Sequence, residues 1–357
     1  MTRFLRFAFT LLLAAGAGHA TPPDPQQRMA AIARSSPLVR DAIGRVRASA
    51  ENVRDPALRR ATIAALFDPD DCIRHRIGMD ATREHGIIDS LRAHGWIDAS
   101  LSDAAASQGL FPPLRDAGTP CPRLPSPDLL AAGGDGVSHH SWPGGLALHV
   151  AFNIASARAQ IGLYARQSHA TGIDEDQIVT AALWHDWAKA LTLQWRADGM
   201  LTPEIPVAGT GAHHILGLAE AMRRGFPPSQ VMVQACAHGV DPALLAAWLG
   251  AAALVASVDA RLYPVTITPE CLIHHLSDQN WIFADAAIAG ADRALAADAG
   301  RYGFGAATAA DYRLCYRHVA LAYLGADRMF SATPAERDRL LRKMFRTHPP
   351  CGRADRE

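Results

Sequence analysis

The chain has 357 residues, with 35 basic (Lys plus Arg) and 35 acidic (Asp plus Glu) side chains, 49% hydrophobic residues and 20% charged ones. This composition supports a packed core and excludes a chain that stays unfolded for lack of apolar residues. The balanced charge excludes the basic excess of a broad nucleic-acid-binding face.

The first predicted element is a leader. Arg3 and Arg6 precede an apolar run from Phe7 to Ala17, and Gly18-His19-Ala20 then stands ahead of Thr21-Pro22-Pro23. This is the pattern of a secretory signal peptide over residues 1–20, cleaved after Ala20. The run is too short to span a bilayer, and no Cys follows it to suggest a lipoprotein. No other segment is long and apolar enough to cross a membrane, so a periplasmic or secreted protein without stable membrane insertion is expected. Removing Arg3 and Arg6 leaves 33 basic residues against 35 acidic.

Ala, Leu and Arg dominate the remainder and strict apolar alternation is rare, so an all-α protein is expected. Residues 21–130 read as a helical N-terminal region, with apolar residues at helical spacing over Met29 to Val53 and Pro56 to Phe67, and a further helix over Ala81 to His94. They carry no motif. Six prolines between Phe111 and Pro127, then Gly133-Gly134-Asp135-Gly136, sustain neither helix nor sheet and mark a boundary. Residues 131–265 form the next unit, with helices over Gly144 to Arg166, from an Asp174 N-cap through His185-Asp186 to about Leu193, and over His213 to Arg224, Ser229 to His238 and Pro242 to Leu262. Gln177 follows Asp174 at the spacing of a capping box, and Ser168 to Ile173 form a turn. Residues 266–357 complete the chain as a helical region packed on the middle unit, broken at Gly303 to Gly305.

The six cysteines, in an oxidising compartment, allow fifteen pairings, among which the sequence does not choose. Cys72 with Cys121 and Cys271 with Cys315 are the pairs to test, and Cys236, inside an apolar run, reads as a buried free thiol. No CxxC pair points to a thiolate zinc site.

Eight of the sixteen histidines lie between His139 and His238. Imidazole nitrogens with neighbouring carboxylates are donors for first-row divalent metals. In Leu183-Trp184-His185-Asp186-Trp187-Ala188-Lys189 an apolar approach ends in a His-Asp pair that would be costly to bury without a partner. His185 can reach one ion while the two oxygens of Asp186 turn toward it and a second. Lys189, three and four residues on, shares their helical side and could hold a phosphate.

These segments resemble the HD superfamily of metal-dependent phosphohydrolases, in the wording HHSWPGGLALH (139–149), ALWHDWAK (182–189), HHILG (213–217) and ASVDARL (256–262). The resemblance covers about a third of the chain. It implies an HD-domain helical bundle with additional N- and C-terminal helices. It also implies a first metal held by His149, His185, Asp186 and Asp259, and a second by Asp186, His213 and His238, with His213 preferred to His214. Two divalent ions would then be bound, Fe or Mn ahead of Zn, Mg, Co or Ni. The implied reaction is hydrolysis of a small phosphorylated substrate, a nucleotide or related ester, by a metal-activated water, with Asp186 and Lys189 in catalytic roles and His140 (or His139) protonating the leaving group. The Gly-Tyr-Pro signature of the cyclic-di-GMP branch is absent after His238. Two alternatives stay open: a di-iron oxygenase on the same scaffold, and a non-catalytic exported helical binding module. The sequence leaves the oligomeric state undetermined. Trp142, Trp184, Trp187 and Trp195 read as core, with Trp187 the best case for a substrate platform. His274 and His275 fall outside the pattern.

Overall fold

A computed structural model describes residues 24–136, 138–167, 172–279, 284–348 and 351. The leader expected over residues 1–20 lies outside them, as does most of the turn expected at Ser168 to Ile173.

Local rules of capping account for most helix starts. Helices α1 (Pro25–Ser35), α2 (Pro37–Glu51) and α3 (Pro56–Phe67) each begin at a proline, and the side chains of Asp24, Ser36 and Asp55 before them accept backbone N–H groups of the first turn. The single periodic stretch expected from Met29 to Val53 is therefore broken at Ser36, whose hydroxyl also donates to the carbonyl of Ala322 at 2.7 Å. Helices α4 (Ala81–Ala93) and α5 (Asp103–Leu110) follow, the latter capped by Ser102 and not foreseen. The proline-rich stretch runs irregularly to a short 3-10 turn at Asp128–Leu130.

The middle of the chain supplies α6 (Gly145–Gln167), α7 (Glu175–Trp184) and the one-turn α8 (Lys189–Thr192). A hairpin of β1 (Pro206–Val207) and β2 (Thr210–Gly211), paired antiparallel, leads into α9 (Ala212–Arg223). Then come α10 (Pro228–Ala235), continued by a 3-10 turn to His238, α11 (Pro242–Ala256) and α12 (Pro269–Asp278). The C-terminal region holds α13 (Ala284–Asp298), α14 (Ala310–Tyr312), a π-turn over Arg313–Arg317, α15 (His318–Leu324), α16 (Ala326–Ser331) and α17 (Pro334–Thr347). The protein is mostly helical. No single helix among the described residues is long and apolar enough to cross a membrane.

One apolar core runs from Ala30 on α1 to Cys271 on α12, so the N-terminal helices and the histidine-bearing helices share their packing. Trp184, Trp187, Leu146 and Leu183 are fully buried in it; cutting such a side chain to Ala costs about 3–5 kcal/mol. A second core joins the C-terminal helices to Trp142, Trp195 and Leu201.

Two of the cysteine expectations are corrected. Cys72 does pair with Cys121, but Cys271 pairs with Cys236 and Cys315 with Cys351. Cys236 is not a free thiol. The turn after α10 packs on α12 and brings the Cα atoms of Cys236 and Cys271 to 5.3 Å, within disulfide reach.

Candidate metal centre

Five elements of the shared core converge on one buried cluster: α6 with His149, the end of α7 with His185 and Asp186, α9 with His213, the turn after α10 with His238, and α12 with Asp278. His185 and Asp186 do not sit in mid-helix as expected. Regular α-helix stops at Trp184, and three-residue turns follow, in which Trp187 N–H donates to Trp184 O and Lys189 N–H to Asp186 O. The tighter winding turns both side chains into the cluster.

The cluster has two halves. His149 Nε2 lies 3.2 Å from His185 Nε2, 3.1 Å from Asp186 Oδ2 and 3.1 Å from Asp278 Oδ1. His185 Nε2 lies 3.3 Å from each of the same two oxygens. Donor atoms about 2.0–2.2 Å from one cation stand roughly 3.0–3.6 Å from each other, which is this spacing. On the other side, Asp186 Oδ1 lies 3.2 Å from His213 Nε2 and 3.7 Å from His238 Nε2, and Asp278 Oδ2 lies 4.0 Å from His238 Nε2. Asp186 thus offers one oxygen to each half.

The donor set fits divalent cations. Asp186 is buried and neither of its oxygens accepts a well-formed hydrogen bond; His213 Nε2 is likewise buried without a partner. Burial opposes the charge of Asp186, yet His185 and Lys189 beside it hold its carboxyl well below the usual range. Burial likewise opposes the charge of Asp278, and His185 and His149 hold it low. Burial alone would lower the pKa of His185, but the two carboxylates raise it to about 10. Such a cluster concentrates lone pairs and charge that a cation satisfies at one stroke.

Surrounding groups orient the donors. His185 Nδ1 lies 3.0 Å from the carbonyl of Ala182, which fixes the proton there and leaves Nε2 as the donor atom. Glu204 accepts both the backbone N–H of His213, at 2.7 Å, and its Nδ1, at 2.8 Å. Burial works against ionisation of Glu204, yet His213 keeps its carboxyl at about 2. Gly211 makes this contact feasible, because a Cβ there would collide with the Glu204 carboxylate and the His213 ring. Thr210 on the hairpin lies 3.3 Å from His238 Nδ1. Asn153, one turn after His149, donates to Asp278 Oδ1 at 3.0 Å.

Asp259, expected as a ligand of the first metal, is not part of the cluster. Helix α11 was expected to run to Leu262 but ends at Ala256, where Ser257 takes a left-handed backbone conformation. Asp259 therefore leaves the helix face, caps the next short turn and pairs with Arg261 at the surface. Asp278 stands in its place. The boundary drawn after residue 265 thus passes between members of one site. Asp278, Asn153 and Glu204 carried no motif, although His274 and Asp278, four residues apart in a helix capped by Thr268, place an imidazole and a carboxylate on one face.

The other predicted residues are also located. His214, the competitor of His213, turns its ring to His238 and Trp248, at 4.5 and 5.0 Å between centroids, with both nitrogens unpartnered. Lys189 is buried, with Nζ 2.7 Å from Asp186 Oδ2 and donating to Gly133 O at 2.7 Å. It ties the glycine loop to the cluster. His140 has a positive φ of 56° and its carbonyl accepts from Gly133 N–H; Gly145 is packed so closely that a Cβ would strike that carbonyl. The ring of His140 lies 5.4 Å from that of His149, and the half-buried His139 stacks on His149 at 4.8 Å. Burial, reinforced by His149, lowers the pKa of both, His139 to about 3. The least buried member of the cluster is His238, with 19% of its side chain exposed, so solvent reaches the second half first.

No family model matches the chain, and neither a curated protein nor a solved structure matches it.

Proposed function

We propose that the protein is an exported HD-type phosphohydrolase holding two divalent cations and cleaving a phosphate ester of a small molecule, a nucleotide or a related compound. The observation that carries this reading is the carboxylate of Asp186, with Oδ2 among His149, His185 and Asp278 and Oδ1 toward His213 and His238. His149, His185, Asp186 and Asp278 would hold the first cation, and Asp186, His213 and His238 the second. The final carboxylate departs from the position that the HD pattern assigns it. The order of the histidines and the His-Asp pair along a helical core supports the HD reading.

Divalent cations at these positions acidify a bound water and neutralise charge growing on phosphoryl oxygens. The protein's own groups prepare that chemistry. Glu204 and the Ala182 carbonyl hold His213 and His185 with Nε2 turned inward. Lys189 offsets the charge of Asp186 and fixes the loop carrying His139 and His140 beside His149. His139, less buried than His140, is the better placed of the two to touch a substrate. The three disulfides among the described residues support an oxidising compartment and hence export.

The test is metal analysis of protein purified without chelator, followed by a panel of chromogenic phosphomono- and diesters under anaerobic conditions with manganese. Two equivalents of metal, and turnover that is lost on chelation and restored by manganese, are expected. Protein that binds no divalent metal, or a loaded protein that turns over only with dioxygen, overturns the reading.

A further inference from the structure

A cavity of about 260 Å³ lies behind the cluster, walled by α3, the Cys72 segment and the proline-rich stretch that ends at Asp128. Its apolar lining includes Leu66, Phe67, Ile73, Leu124 and Trp187, the last being the residue directly after Asp186. Asp128 also lines it. This acid is 1% exposed, its Oδ1 has no hydrogen-bond partner, and it makes no ion pair among the described residues. Burial, with a further contribution from Asp186, raises its pKa well above the usual carboxylate range. A lone acid in an apolar wall lowers stability and is retained where it serves a ligand.

The same lining carries Arg34, Arg115 and Arg224, together with the acids Asp68 and Asp71. Arg224 is consumed by Asp71 and Glu220, and Arg115 by Asp70 and Asp116. Exposed Arg34 makes no ion pair among the described residues. The cavity shares Arg34, Arg115, Ser126 and Pro127 with a wider groove of about 880 Å³, so a ligand can enter past the arginines. The lining thus combines a buried carboxyl group, an apolar and aromatic wall, and, in Arg34, a guanidinium that makes no ion pair among the described residues.

We propose that this cavity is a second small-molecule site, separate from the metal centre, for a nucleoside-monophosphate type of ligand. Asp128 reads the amino-bearing edge of the base, Trp187 and Phe67 flank the ring, and Arg34 receives the phosphate. A carboxylic acid presents one O–H donor beside one acceptor, which matches an amino group next to a ring nitrogen. A guanidinium matches a phosphate by paired N–H donors. The assignment gives residues 25–130 a task, because they supply every lining residue of the cavity except Trp187 and Arg224. It does not rest on the phosphohydrolase reading.

The experiment is calorimetric titration of chelator-treated protein with adenosine monophosphate, which removes binding that depends on metal. One equivalent is expected, at least tenfold tighter than adenosine or inorganic phosphate alone. Asp128→Leu should weaken it by tenfold or more, and Arg34→Ala by several-fold. Asp128→Leu should also raise the denaturation midpoint of the unliganded protein, which shows that the variant folds. No saturable binding to the metal-free wild type, or equal binding by a folded Asp128→Leu, overturns the proposal. Absence of any phosphoester turnover on reloading with manganese, with the titration intact, would count only against the phosphohydrolase reading.

Discussion

Two buried histidine–carboxylate groups stand in the same apolar core, and they differ in how their oxygens are satisfied. Glu220 accepts the backbone N–H groups of Arg74 and His75, the ring of His75 at 2.7 Å and Nε of Arg224 at 2.8 Å. Every contact comes from the protein, and the group stitches the segment before α4 to α9. Asp186 has imidazole nitrogens around it and one ammonium, and no well-formed hydrogen bond. The difference separates a structural ion pair from a place prepared for cations: both carboxylates are buried, but Glu220 is satisfied by aligned protein N–H groups, whereas Asp186 shares its pocket with a second carboxylate, Asp278, and with imidazole nitrogens.

The largest effect should come from exchanging the two roles. Asp186→Ala is expected to remove both cations and reduce phosphoester turnover to background, read by metal analysis and by rate. Glu220→Gln should leave metal content unchanged and instead cost about 3–5 kcal/mol of stability, since it breaks a buried pair. Equal metal loss in both variants would erase the distinction. Asp278→Asn should follow, weakening the first cation roughly 10–100-fold, while Asp259→Asn should change neither affinity nor rate; the reverse order would restore Asp259 to the site. Glu204→Gln is expected to weaken the second cation by roughly 10-fold, as loss of an orienting carboxylate does.

A smaller effect concerns pH. In chelator-treated protein the pKa of His185 is raised from 6.5 to about 10. A raised imidazole pKa means the folded state holds the proton more tightly, so this stabilisation is complete below about 6.5 and is lost as pH rises through about 10. Thermal denaturation of the metal-free protein should show the decline across that window. Cations displace the proton, so the loaded protein should show a flatter profile there.

Much of the architecture was legible from residue chemistry. Prolines after Asp24, Ser36 and Asp55 start helices wherever they occur, because a missing N–H costs nothing in the first turn. Helix content follows from Ala- and Leu-rich periodicity. The histidines of the cluster stood out because imidazole beside carboxylate in an apolar segment needs a partner. The hairpin of β1 and β2 escaped notice, since two-residue strands leave no periodic trace.

By itself, then, the sequence determined a helical protein with a His-Asp pair and three further histidines suited to metal. Only the tertiary structure decided which carboxylate completes them and which cysteines pair. Asp259 and Asp278 are equivalent as chemistry along a chain. They differ because α11 ends at Ala256 and releases the first to solvent, while α12 packs on α6 and α7 and delivers the second to His149 and His185. Proximity between residues far apart in the chain is a property of packed surfaces, and no local spacing encodes it.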